Sequence, residues 1–187
     1  MSFEEEPKFE TELPEKSTEE TAEEREERII NEKIREIADV LGNLPSEEEV
    51  AAAEEKIDAC LEKFVRGGSL EKFHKEPDID IPGKVEFPDF NILAKVMRIM
   101  GFEEDLIKQT VEHESAHIKE AKKFGFEPKL YLKFFKTKEE KKECQPWFQI
   151  ELPKRGDEEE LRKNLKIIVE APLELSESDL KTLDMYE

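Results

Sequence analysis

The sequence of 187 residues has few of the features on which several protein classes depend. Its two cysteines, Cys60 and Cys144, are far apart and match no C-x-x-C pattern, so we expect two reduced thiols rather than a cysteine metal or redox site. No apolar run approaches the roughly 18 residues of a membrane-spanning helix, and the N-terminus lacks the basic and apolar stretches of a secretory signal. We therefore expect a cytoplasmic protein.

Positive charge is also scarce, because 30 Lys and Arg stand against 49 Asp and Glu, giving a formal net charge of −19. An acidic surface without a basic stripe repels DNA, RNA and anionic membranes, so we expect binding to neither nucleic acid nor membrane. Glutamate is densest near the N-terminus, where large apolar side chains are few. That stretch cannot bury enough surface to offset its chain entropy, and we predict a disordered acidic tail over residues 1–24.

Residues 25–68 carry two helical patterns joined by a short turn. The first begins between Thr18 and Thr21, and its apolar residues form one stripe: Ile30, Ile34, Ile37 and Leu41. The turn over residues 42–45 stops it, and Ser46 begins the second helix with Glu49 completing a capping box. Two helices joined so closely should pack as an antiparallel αα-hairpin. We expect this hairpin either to stabilise the fold or to bind a partner or a second copy.

Residues 69–187 are predicted to form an α+β domain, which makes the chain an α+β protein that is mostly helical. Its expected elements, in chain order, are a short strand at Val85–Phe87, a core helix over 89–100, a helix over 103–124, two strands around Tyr131 and Trp147 joined by a loop over 137–143, a helix over 157–170, and a last helical turn over 176–179. A helix followed by a β-hairpin and a C-terminal helix is therefore the expected order.

The helix over 103–124 contains His113-Glu114-Ser115-Ala116-His117, and the whole chain has only three histidines. Residues four apart on a helix differ by about 40° around its axis and about 6 Å along it. Both rings can therefore reach one divalent metal ion, and zinc is the usual occupant of such a site. The spacing predicts a Zn²⁺ site at His113 and His117.

Glu114 gives a second, independent indication of function. On a helical projection it lies at the edge of the core stripe, between Val111 and Ile118, rather than among the solvent-facing acids. A carboxylate there is costly unless it has a partner or a task. Beside a bound zinc, Glu114 can accept a proton from water and pass it to a leaving amine, and partial burial would raise its pKa toward the working pH.

The motif resembles the active-site helix of the zincin metallopeptidases, which are HExxH zinc peptidases. The resemblance implies that His113 and His117 bind zinc, that Glu114 is the catalytic general base, and that the substrate is a peptide or protein. The Gly and third His of the metzincins do not follow the motif. A gluzincin-like site would instead take a downstream Glu as third ligand, and other zincins take an Asp.

The third ligand stays open among four candidates: Glu170, Asp179, His74 and Glu120. Glu120 shares the histidine face of the helix but lies one turn beyond the metal position. In zincins an edge strand binds the substrate by β-addition, and the strand with Tyr131 or the strand with Trp147 could offer such an edge.

Three functions follow as hypotheses. The first is a small zinc-dependent peptidase, a hydrolase that uses a zinc-activated water and a Glu base. The second is a metal-binding protein in which zinc is structural or regulatory. The third is an acidic interaction module that engages a basic or helical partner, with incidental histidines. The acidic tail would either solubilise the protein or keep acidic substrates away from the cleft.

Overall fold

The computed structural model describes residues 20–76 and 79–187. Within those ranges the chain forms seven helices and one three-stranded antiparallel sheet, which confirms the mostly helical α+β class. In chain order the elements are α1 (Ala22–Gly42), α2 (Glu47–Val65), α3 (Leu70–Phe73), β1 (Lys84–Phe87), α4 (Phe90–Ile99), α5 (Glu104–Lys123), β2 (Lys129–Lys136), β3 (Lys142–Gln149), α6 (Glu158–Val169) and α7 (Glu177–Asp184).

The predicted acidic tail falls mostly on residues 1–19, which lie outside the described residues. Its last three residues, 22–24, form the first turn of α1, because Thr21 caps that helix in a capping box with Glu24. None of the helices in the described ranges is both long and apolar enough to cross a bilayer.

The sheet has the order β1-β2-β3, and β2 is buried on both faces. The strand expected at Val85–Phe87 is confirmed as part of β1. The predicted hairpin loop is too long, because Lys142 already pairs with Lys136 and only residues 137–141 form the turn. The second strand also ends at Gln149 rather than continuing to Leu152. The charged start of β3 escaped detection because an edge strand can expose polar residues along its length.

The expected αα-hairpin is wrong, because α1 and α2 pack on opposite faces of the sheet. The α1 residue Ile37 belongs to the core that α4 and α5 form with one sheet face. The α2 residue Val50 packs with Phe135 on the other face. The turn between the helices is fixed to the end of the sheet, where the Lys136 amide donates to the Pro45 carbonyl at 2.9 Å. The chain therefore passes from one face to the other instead of folding back on itself.

The helix that carries the histidine motif lies at the centre of the arrangement. Its observed bounds, Glu104–Lys123, match the predicted ones to within a residue at each end. It packs on α4, on β3 and on α6, and α7 in turn packs on α6. The motif helix is thus enclosed by the sheet on one side and by the two C-terminal helices on another.

Candidate functional site

Three of the predicted site residues meet at one point between α5 and α7. The Nε2 atoms of His113 and His117, both on α5, lie 3.3 Å apart. Asp179, on α7, places Oδ2 at 3.2 Å from His113 Nε2 and Oδ1 at 3.2 Å from His117 Nε2. These residues, the His–His–Asp cluster, are close enough for one ligand atom from each to hold a metal ion.

Backbone carbonyls orient both imidazole rings by contacting Nδ1, the ring nitrogen that does not face Asp179. His117 Nδ1 donates to the Ile168 carbonyl at 2.7 Å, and His113 Nδ1 lies 3.2 Å from the Glu174 carbonyl. A carbonyl oxygen can only accept a hydrogen bond, so each Nδ1 carries the proton. In the neutral ring each Nε2 is then a bare lone pair, which is the form that binds metals.

The converging atoms of the cluster are therefore all electron-pair donors when the rings are neutral. Two imidazole lone pairs and a carboxylate repel one another unless a cation lies between them. Without a metal ion, a proton bound within the cluster can reduce this repulsion. Burial alone would lower the pKa of His117, but the hydrogen bonds to Asp179 and to the Ile168 carbonyl raise it on balance. Burial would raise the pKa of Asp179, yet His117 and Ser176 lower it.

The spacing of the cluster fits a tetrahedral zinc ion. Ligand atoms at about 2.0–2.1 Å from zinc and at tetrahedral angles are about 3.3 Å from one another. The two Nε2 atoms are 3.3 Å apart, close to this value, and each lies 3.2 Å from a different oxygen of the Asp179 carboxylate. Two imidazoles and one carboxylate also make a donor set that zinc accepts, with a fourth position left for water or substrate.

Glu114 is buried beside the cluster without a hydrogen-bonding partner for one of its oxygens. The residue is only 6% exposed, and its Oε2 contacts no donor among the described residues. Burial raises the pKa of Glu114 to about 7, although the neighbouring charge of His117 acts in the opposite direction. A carboxyl group in that range can both take and release a proton near neutral pH.

The other candidate ligands lie elsewhere. His74 is exposed, and its Nε2 lies 3.1 Å from the Pro153 carbonyl. Glu170 is exposed at the C-terminal cap of α6. Glu120 pairs with Lys123 at 2.5 Å on the next turn of α5. Asp179 alone among the four candidates reaches the histidines.

The site is enclosed on one side and open on the other. The Phe148 ring of β3 stacks on the His117 ring at 4.5 Å with an interplanar angle of 20°. The His117 side chain is only 1% exposed, whereas that of His113 is 23% exposed. A groove of about 490 Å³ runs between α5 and α6, past Ala116 and Ile167. None of the three cluster residues lines this groove, so the partial exposure of His113 is what opens the cluster to solvent.

Sequence reasoning did not identify the groups that support the ligands. A sequence motif cannot single out the carbonyls of Ile168 and Glu174, because every residue has a backbone carbonyl. Ser176 did carry a signal, because a last helical turn was predicted over 176–179, and the structure extends that turn to the eight-residue α7. Nothing in the sequence marked Phe148 as the residue that stacks on His117.

Comparison with known proteins does not assign the chain to a family. A scan against protein-family models and searches of curated proteins and of solved structures found no match. The likeness to zincins rests on the motif residues alone.

Proposed function

We propose that this chain is a zinc-dependent peptidase in which His113, His117 and Asp179 hold the metal and Glu114 is the general base. One observation carries the proposal. Two imidazole lone pairs and a carboxylate converge, with contacts of 3.2 and 3.3 Å, and the neighbouring Glu114 has a buried oxygen without a partner in the part of the chain that the structure describes. A cation satisfies the first three groups, and a water molecule beside it gives the fourth a partner.

The chain's own residues supply orientation and proton transfer. The Ile168 and Glu174 carbonyls keep the Nδ1 protons in place, so the Nε2 lone pairs of both rings stay directed at the metal position. Zinc, when bound, acts as a Lewis acid that acidifies water and polarises a carbonyl. Glu114 takes the proton of the attacking water and returns it to the leaving amine, a transfer suited to its pKa of about 7.

The sheet edge next to the site favours a peptide as substrate. Among the described residues β3 pairs with β2 alone, so its other side is an edge. Proline has no N–H to donate to β2, and we infer that Pro146 and its alternate neighbour Phe148 direct their backbone groups outward. The Phe148 ring stacks on His117, so an extended peptide paired with this edge would pass beside the cluster.

The proposal is tested by metal content and by one substitution. Protein purified without chelator should contain or take up one equivalent of zinc, and His117→Ala should weaken zinc binding more than about 100-fold, a larger loss than removal of a supporting group causes. Glu114→Gln should keep zinc within about threefold of the wild-type affinity, because it spares every ligand, and lose about 10²–10⁴-fold in peptide hydrolysis.

Glu112→Gln is the matched control, because Glu112 is an exposed carboxylate one residue from the motif whose nearest cation, Lys108 Nζ, is 3.8 Å away. It should change neither zinc affinity nor turnover. Wild-type protein that takes up no zinc contradicts the whole proposal. Unchanged hydrolysis in Glu114→Gln removes Glu114 from the mechanism.

A structural or regulatory zinc site is the second candidate, and the burial of the cluster favours it. Of the three cluster residues, His117 and Asp179 are buried, as the ligands of closed structural sites are. In that case zinc binding would raise the unfolding temperature, and a broad library of peptides would show no cleavage. Zinc-dependent cleavage of any peptide would exclude this second candidate and support the peptidase.

A further inference from the structure

The carboxylate of Asp179 both caps a helix and contacts His113 of the cluster. Its Oδ2 accepts hydrogen bonds from the Ser176 amide and the Ser176 hydroxyl, each at 2.8 Å, and the Asp179 amide donates back to the Ser176 hydroxyl at 3.2 Å. These contacts form the capping box that begins α7. The same Oδ2 lies 3.2 Å from His113 Nε2.

We propose that Ser176 is a positioning residue of the metal site, and that zinc binding and the docking of α7 are therefore coupled. The proposal rests on the zinc site argued above. Ser176 supplies two donors to Oδ2 and so fixes the rotation of the carboxylate, which leaves Oδ1 turned toward His117. Hydrogen-bonded supports of this kind orient metal ligands in proteins.

The coupling follows from how α7 reaches the motif helix, since α7 itself packs on α6. A helix of eight residues is too short to be stable in water by itself. Within α7, Asp179 is the buried residue, and beyond it the chain is anchored at Met185. The Lys181–Asp58 ion pair at 2.6 Å is partly exposed and contributes little. The attachment of α7 to the motif helix therefore runs through the cluster.

The chain contains a matched control for the cap. Ser46 and Glu49 form the same capping box at the start of α2, with Glu49 Oε2 accepting from the Ser46 amide at 2.8 Å and from its hydroxyl at 3.0 Å. Glu49 contacts no histidine of the cluster. Loss of the Ser46 hydroxyl thus removes the capping interaction without touching the ligands.

The test compares zinc affinity in three variants by competition with a chelator of known affinity. Ser176→Ala should weaken zinc binding by about 10–100-fold, the range for supporting groups of metal ligands. Ser176→Thr keeps the hydroxyl and should stay within about threefold of wild type, since Thr is also a good cap. Ser46→Ala should lower the unfolding temperature as an ordinary cap loss does and leave zinc affinity unchanged.

Hydrogen exchange of the α7 amides gives a second readout. Zinc should slow exchange over residues 177–184 in wild type and less so in Ser176→Ala, while exchange in α2 stays the same. Wild-type zinc affinity in Ser176→Ala, or equal losses in Ser176→Ala and Ser46→Ala, overturns the positioning role but leaves the zinc site standing. A wild-type protein that binds no zinc overturns both.

Discussion

The two faces of the sheet differ in whether a buried charged side chain has a partner. On the α2 face, the Lys133 side chain is 7% exposed, and its ammonium pairs with Glu54 of α2 and lies 5.9 Å from the centre of the Trp147 ring. On the motif-helix side, Glu114 is equally buried, and although the charge of Lys133 opposes the rise that burial causes in its pKa, its Oε2 has no hydrogen-bonding partner within residues 20–76 and 79–187. A buried charged side chain that has its own partner needs no explanation beyond the fold itself. A buried acid without one indicates that something further is expected at the site.

The same contrast holds for the groups around each buried charge. On the α2 face the neighbouring polar groups satisfy each other, with Lys84 bound to Asp80 at 2.6 Å and Tyr131 donating to Glu86 at 3.2 Å. In the His–His–Asp cluster the converging atoms are all acceptors unless a cation is present. Substitutions on each face should therefore act with opposite sign on stability.

The largest effect on stability is expected from Glu54→Ala. It leaves the Lys133 ammonium buried without a counter-ion, and breaking a buried pair is strongly destabilising. Because the Glu54 side chain is 35% exposed, we expect a loss of about 2 kcal/mol in the free energy of unfolding, below the range for fully buried pairs. Urea unfolding measures it, and zinc affinity should not change.

Glu71→Ala is the control for that substitution, because the Lys75–Glu71 pair at 2.6 Å is exposed on both sides and should contribute little. A loss in Glu54→Ala no larger than that in Glu71→Ala would mean that the buried pair does not stabilise the sheet face. The contrast between the two faces would then fail.

The periodicity of the sequence correctly predicted structural features that are determined within a few neighbouring residues. The bounds of α5 and the convergence of His113 and His117 follow from helix geometry over a few residues, so the sequence was sufficient. The helical turn predicted over 176–179 contains the observed start of α7, where Ser176 and Asp179 form a capping box within one turn. Each of these features is decided within one or two helical turns.

Features that join distant segments were not predictable in the same way. Asp179 was one of four candidates, and its choice depends on how α6 and α7 return to α5. The packing of α1 and α2 was predicted wrongly, because an apolar stripe identifies a buried face but not the surface that covers it. Here the pairing of the Pro45 turn with the end of β2 decided the outcome.

A smaller effect of opposite sign is expected from Glu114→Gln in zinc-free protein. The substitution removes a carboxyl group that is buried without a full set of partners and keeps its shape. We expect the free energy of unfolding at pH 8 to rise by about 1 kcal/mol, within the range for a polar group buried without compensation. Urea unfolding after chelator treatment measures it, with Glu112→Gln as an unchanged reference. A loss of stability would show that Glu114 supports the fold, as Lys133 does.

The smallest effect is expected from Tyr131→Phe on the α2 face, and it depends on pH. Burial, together with the charge of Glu86, raises the pKa of Tyr131 to about 12 from its ordinary value of 10.0. The folded protein therefore keeps this proton more tightly than the unfolded chain. The resulting stabilisation is complete below pH 10 and is lost as the pH rises toward 12.

At pH 8, Tyr131→Phe should cost about 0.5–1 kcal/mol, because it removes the hydrogen bond from the Tyr131 hydroxyl to Glu86. At pH 11 the difference from wild type should shrink, since wild type has begun to lose its tyrosine contribution and the variant has none to lose. Urea unfolding of both proteins at the two pH values measures the change. A difference that stays constant would mean that the folded environment does not hold the Tyr131 proton, and that the polar groups of this face are less completely satisfied than their contacts indicate.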